Sequence, residues 1–352
     1  MKKTVSFIIT ALLLAALCIP AVSAAEAAAV DDYVVRVAYG PGLCHAALHA
    51  AIENGFFDEE EGFNYVLIPL DISLIPDAAA TGTIDASQGM VGKWGVPLEN
   101  GLGIQITNGI HRGCSKIVVR ADSDVNSIAD LQGKKIGVPA LSDPIVLTFR
   151  RALAEVGLDY GADSRDVEFA VFPSADLANA LNQGFIDAYA GGDPAITITS
   201  EEYGFRTLLD TALDEPFGHE YCCVGFVSND LARNHPTLAA KYVNALLKGG
   251  QYVKDHPLET AAFQLEKEYI VGGTPEENVK YLLDYDYKPS VQGGYDALLN
   301  VLIALKDVGV LKAATDPIEL TNASFTAYGA EITRVYTPDE YEAHKITAVH
   351  FN

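Results

Sequence analysis

The sequence has 352 residues, 49% of them hydrophobic, and its 47 acidic against 24 basic side chains give a formal charge of −23. That length exceeds one ordinary core of about 100 to 200 residues, so two lobes are expected, and the apolar content excludes a disordered chain. The acidic balance excludes nucleic acid as a natural partner, because phosphate backbones are met by basic surfaces.

The first residues read as a secretory signal: Lys2 and Lys3, an apolar stretch from Val5 to Ile19, then Ala21-Val22-Ser23-Ala24 with small residues at the cleavage positions. Residues 1–24 are therefore expected to be removed and the chain exported to a periplasmic or extracellular compartment. The apolar stretch is too short for a membrane span, which needs about 20 residues. A lipid anchor on Cys18 is the less favoured alternative, since Leu17 stands where a lipoprotein signal wants Gly, Ala or Ser. Beyond the signal remain Cys44, Cys114, Cys222 and Cys223. An oxidising compartment permits disulfides among them. A bond between adjacent Cys222 and Cys223 is the poorest, because neighbouring α-carbons lie closer than a bridge requires.

Alternating β-branched residues predict a strand at Tyr33 to Tyr39, followed by Gly40-Pro41-Gly42 and a helix over Ala46 to Asn54. The same rhythm continues with a strand at Asn64 to Pro69, a helix at Ile75 to Thr81, a strand at Ile84 to Ser87 and a helix ending at Val96 to Asn100. Lys135 to Val138, Val167 to Phe172 and Ile186 to Ala190 are predicted strands, with helices at Pro144 to Val156 and Ala175 to Gln183 between them. Strands alternating with helices imply mainly parallel sheets covered on both faces. The phrase Gly82-Thr83-Ile84-Asp85-Ala86 returns as Gly184-Phe185-Ile186-Asp187-Ala188, which suggests two related lobes. After Val224-Gly225-Phe226-Val227 the pattern turns helical: His235 to Lys254, Leu258 to Tyr269, Pro275 to Leu283 and Ser290 to Val308, with an irregular tail past Thr321.

An ordered set of phrases now stands out: Gly55-Phe56-Phe57 with Glu61-Gly62, Ala129-Asp130-Leu131-Gln132-Gly133-Lys134-Lys135-Ile136-Gly137-Val138-Pro139, Arg151-Ala152-Leu153 with Gly157-Leu158, Ala175-Asp176, Ile186-Asp187-Ala188, Asp193-Pro194, and the late pairs His235-Pro236 and His256-Pro257. With them the chain resembles the substrate-binding proteins for nitrate, taurine and alkanesulfonates, which are close in fold to thiamine-pyrimidine synthases. The resemblance implies an α/β fold of the periplasmic-binding-protein-like type II, with two lobes joined by two crossover strands near Lys116 to Arg120 and Tyr221 to Val227. The lobes are then expected as 31–118, the inserted 119–223, and 224–352 returning to the first lobe. It also implies hinge closure over a small-molecule solute and docking on the permease and ATPase subunits of an ABC importer. No chemistry, no cofactor and a monomeric chain are expected.

Ligands in open α/β sheets bind beyond the carboxyl ends of strands. Those ends place Cys44 and His45, Gln88 and Met90, His111, Arg112 and Cys114, Ser142 and Asp143, Gly192 and Asp193, and Cys222 around a cleft. Ser142 or Asp143 before Pro144 marks a helix start that offers N–H groups to an anion. Lys93 and Arg112 are the basic side chains on these loops, and Trp94 is either a stacking platform or core. The spacing His-x-x-Cys occurs at His111–Cys114 and at His219–Cys222, a soft donor set that makes these four the candidate ligands of zinc, copper or iron or of a metal-bearing solute, against a reading as disulfide or buried thiols. Of the adjacent pair, Cys222 is expected to face the cleft because it shares a loop with His219. The alternatives to an importer component are a thiamine-pyrimidine synthase-like enzyme and a secreted module that feeds a sensor.

Overall fold

The computed structural model describes residues 31–141, 143–159 and 166–329. The expected signal with Cys18, the candidate Ser142 and the chain past 329 lie outside the described residues. Two sheets organise the rest. The strands in chain order are β1 Val35–Tyr39, β2 Tyr65–Pro69, β3 Ala86–Met90, β4 Ile104–Arg112, β5 Ser115–Arg120, β6 Lys135–Val138, β7 Glu168–Val171, β8 Ala188–Gly192, β9 Phe205–Asp210, β10 Tyr221–Ser228 and β11 Tyr287–Ser290. One sheet runs β11-β4-β10-β3-β1-β2 and the other β7-β6-β8-β5-β9.

Both sheets are mixed rather than mainly parallel. The βαβ units supply parallel pairs, β1 with β2 and β3, and β6 with β7 and β8. The strands next to the passage between sheets arrive from the opposite direction, so β10 pairs antiparallel with β3 and β4, and β5 with β8 and β9. The expected crossovers at Lys116 to Arg120 and Tyr221 to Val227 are each strands of one sheet. The chain changes sheets earlier, at Gly113–Cys114 and through Thr211–Glu220, so the expected boundaries 118/119 and 223/224 fall inside β5 and β10.

Each sheet is buried on both faces, which is why its strands read as apolar runs. On β1, Val35 and Val37 join one core while Ala38 joins the other, and on β5 Ile117 and Val119 oppose Val118 in the same way. Helix Pro236–Asp255 crosses helix Ala46–Glu53 so closely that a side chain at Gly249 would strike the Ala47 carbonyl. None of the helices among the described residues is long and apolar enough to cross a membrane.

The repeated phrase has one structural role in both lobes. Gly82 and Gly184 end their helices at positive φ, 67° and 74°, where a Cβ would be strained. Ile84 and Ile186 then enter the core. Asp85 accepts from the backbone N–H of Arg36 and Asp187 from that of Lys135, both at 2.8 Å. In return the Asp85 and Asp187 amides donate to the carbonyls of those same residues. Each aspartate thereby fixes the register of two parallel strands, β1 with β3 and β6 with β8.

Candidate functional site

Three connected cavities surround the turn Met90–Lys93 at the carboxyl end of β3. The widest, about 460 Å³, lies between Lys93, Val96 and Pro97 of the first lobe and Asp143, Leu147 and Arg150 of the second. A narrow inner one, about 60 Å³, shares Gly92 and Leu147 with it and reaches Cys222, Arg151 and Glu220. A third, about 40 Å³, runs past Met90 to Cys44, His45, Gln88 and Cys223. The wide cavity falls in the range that holds small ligands.

Helix Pro144–Glu155 shapes the second lobe's wall. Asp143, Val146, Leu147 and Arg150 recur at i, i+3, i+4 and i+7, a single helical face turned to the wide cavity. Asp143 caps this helix, its carboxylate accepting from the Ile145 amide at 2.9 Å, so part of the helix N-terminus expected to meet an anion is already taken. The guanidinium of Arg150 is buried at Nε, which has no partner among the described residues, and burial lowers its pKa. Lys93 donates weakly to the Ile72 carbonyl at 3.4 Å and lines the same cavity. Beside it Arg151 is committed to Glu220 by two bonds of 2.7 Å, which tie the helix to the second passage between sheets.

The other expected residues divide clearly. Arg112 pairs with Asp286 at 3.3 Å, keeps a buried Nε without a partner among the described residues, and lines none of the three cavities, whereas Arg150 lines the widest of them. Gly192 pairs with Ser115 inside the second sheet. Asp193 is 8% exposed, bonded to Lys116 at 2.8 Å and to the Thr197 hydroxyl at 2.5 Å, and is thereby spent on structure. Trp94 is fully buried against Phe226, with ring centroids 4.6 Å apart, and is core. His219 is removed from the metal candidates: its side chain is 71% exposed and meets Glu215 at 2.6 Å.

The sulfurs, by contrast, gather. The Sγ atoms of Cys44, Cys114 and Cys223 all lie within 4.8 Å of one another, and all four described cysteines are free thiols. Cys223, not Cys222, completes this trio. Strand β10 shifts register between Tyr221, Cys223 and Val224 where it pairs with β4, so plain alternation does not separate the two thiols. Cys222 lines the inner cavity and hydrogen-bonds Cys114, which draws its pKa down to about 6. Hydrogen bonds to neighbouring thiols push Cys44, Cys114 and Cys223 up, and burial adds to this.

Buried imidazoles flank the trio. His111 is fully buried, donates from Nδ1 to the Arg112 carbonyl at 2.7 Å, and leaves Nε2 without a partner among the described residues. His45 accepts from the Gly40 amide at 3.4 Å, and His49 is clamped between the Gly40 carbonyl and the Gln264 amide, each at 2.9 Å. Burial pushes both His45 and His49 down to about 3, so they are neutral at pH 7.

Residues 43–260 match the NMT1/THI5-like family model. A Haemophilus influenzae protein named for thiamine biosynthesis is 28% identical over 150 residues, 42% of this chain and 45% of its own. The bicarbonate transport ATP-binding protein CmpC of Synechococcus elongatus is 28% identical over 244 residues, 63% of this chain and 35% of its own. The chain thus spans less than half the length of these two relatives. A formylaminopyrimidine-binding protein of Halalkalibacterium halodurans is 23% identical across 83% of this chain and 90% of its own. Among solved structures, the alkanesulfonate-binding protein SsuA of Xanthomonas axonopodis pv. citri, bound to MOPS, superposes with a TM-score of 0.67 at 16% identity, covering 84% of this chain and 98% of that one. The two sheets and their passages are thus those of the periplasmic binding protein fold. Since the matched segment covers more than half of the 352 residues, the chain belongs to the NMT1/THI5-like family.

Proposed function

We propose that this chain is an extracytoplasmic solute-binding protein that closes over a small anionic solute and passes it unchanged to the permease and ATPase of an ABC importer. Residues 1–24 act as its export signal, and the mature chain works as a monomer. The lobe boundaries follow the sheets, with strands β5 to β9 forming the inserted lobe. The observation that carries the reading is the cavity of about 460 Å³ built from both lobes and lined by Arg150, a half-buried side chain whose Nε is buried and has no partner among the described residues. A charged donor left without a partner is costly, and an anion that closes the lobes supplies one. The names of the relatives point to transport and to capture of small solutes, an anion in the alkanesulfonate-binding protein and an uncharged pyrimidine in the formylaminopyrimidine-binding protein.

The test is calorimetry with alkanesulfonates, bicarbonate and formylaminopyrimidines. For whichever binds, Arg150→Ala is expected to weaken affinity about ten- to a hundredfold, the worth of a charged hydrogen bond, while the fold is kept. Unchanged affinity in the variant, or turnover of the solute, overturns the reading.

A further inference from the structure

The thiols are not needed to explain an anion cleft, yet three separate parts of the fold bring them together. Cys44 follows β1, Cys114 lies on the first passage between sheets, and Cys223 is in β10 after the second. Their sulfurs are mutually within 4.8 Å, and Cys114 and Cys223 are 3% and 1% exposed. The loop that carries Cys44 is held in place: Gln88 donates to the Cys44 carbonyl and Tyr287 to that of Leu43, both at 2.6 Å. Beside the trio stands His111, stacked on Tyr285 and tilted against Tyr287.

The geometry points to a binding site for one soft, thiophilic metal ion on Cys44, Cys114 and Cys223, with Cu(I) the ion that needs no fourth ligand. Three sulfurs mutually within 4.8 Å, with no oxygen donor in the set, suit a soft d10 cation. Zn(II) wants four ligands, and the His111 ring is not within the mutually close set, so zinc requires it or Cys222 to move in. Binding exchanges up to three S–H bonds for metal–sulfur bonds and releases those protons to solvent, with no change of oxidation state when copper is supplied as Cu(I). This inference goes beyond the solute reading and does not depend on it, since metal retention is measured on the isolated chain with no solute or permease.

The experiment uses the reduced, metal-free mature chain under anaerobic conditions, titrated with Cu(I) against a chromophoric Cu(I) chelator, with Zn(II) alone in a parallel arm. One equivalent of Cu(I) is expected to be retained, with X-ray absorption showing a coordination sphere of three sulfurs. Cys44→Ala and Cys223→Ala are each expected to lose stoichiometric retention, whereas His219→Ala, at an exposed position paired with Glu215, retains it. Should a cysteine variant fail to fold, the wild-type coordination sphere still decides the matter. Loss of all copper to the chelator, a sphere dominated by nitrogen or oxygen, or retention of zinc but not copper overturns the proposal.

Discussion

Lowering the pH from 7 to 5 is expected to cost the protein about 4 kcal/mol of stability before most carboxylates begin to titrate. His45 and His49 are buried and held neutral, their pKa values pushed from 6.5 to about 3 chiefly by loss of hydration. The sign follows from proton counts. Between pH 6.5 and 3 the unfolded chain binds a proton at each of these residues and the native state does not, so stability is full above 6.5 and falls as pH drops towards 3. At pH 5 each histidine has moved about 1.5 units below 6.5, at ~1.4 kcal/mol per unit, which gives about 4 kcal/mol for the pair. His111 is lowered by burial too and adds in the same direction. For His49 the structural reason is concrete: Nε2–H donates to the Gly40 carbonyl and Nδ1 accepts from Gln264, so a second proton would face a donor. Urea midpoints at pH 7, 6 and 5 measure the slope, and His49→Gln, which can keep both contacts, is expected to remove roughly the share of one histidine. A slope that His49→Gln leaves untouched would contradict this assignment.

Asp85→Ala is expected to destabilise the fold by about 3 kcal/mol, and Asp187→Ala, at the equivalent place in the other lobe, by about 1 kcal/mol. Asp85 is 1% exposed and accepts four bonds: the Arg36 amide, its Nε and Nη2, and the Tyr33 hydroxyl, at 2.6 to 2.9 Å. Removing the carboxylate strands all four donors. The Arg36 side chain is 37% exposed and can rehydrate, which keeps the cost near the lower end for a broken buried pair. Asp187 accepts from the Lys135 amide at 2.8 Å. Equal losses in the two variants, measured by denaturant midpoint at constant m, would show that the side-chain pair adds nothing to the shared backbone clasp.

That clasp was legible in the sequence as a repeated five-residue phrase, because a helix stop, a core isoleucine and a register-fixing aspartate must come in that order. The βαβ units were legible for the same reason, their periods switching between two and 3.6 at Gly and Pro. Where the reading failed, local signals competed. Helix Ala195–Tyr203 begins Ala-Ile-Thr-Ile-Thr and has the composition of a strand. It is helical because Ile196 packs beneath Gly191 of β8, and the Thr199 and Ser200 hydroxyls bond back to carbonyls one turn earlier. Strands β4, β9 and β11 escaped because their identity depends on which sheet receives them, a tertiary matter.

At the site, strand ends located the thiols, and Cys222, expected to face the cleft, lines the inner cavity, while the place of Cys223 in the sulfur trio depends on a register shift in β10 that no alternation rule reveals. Arg150, the proposed partner of the anion, sits on a helix and not on a strand-end loop, and its face is recognisable only once Asp143 is taken as the cap and residues are counted forward by three and four. Arg112, chosen from a loop, already had its partner in Asp286.

The central claim, capture without conversion in the cleft between lobes, is tested most directly by the melting temperature as a function of solute concentration, with the solute assayed before and after. The account predicts a rising melting temperature, equivalent to about 2.7 kcal/mol at a hundred times the dissociation constant, with the solute recovered intact and the effect greatly reduced in Arg150→Ala. Consumption of the solute, or an equal rise in the variant, would contradict it.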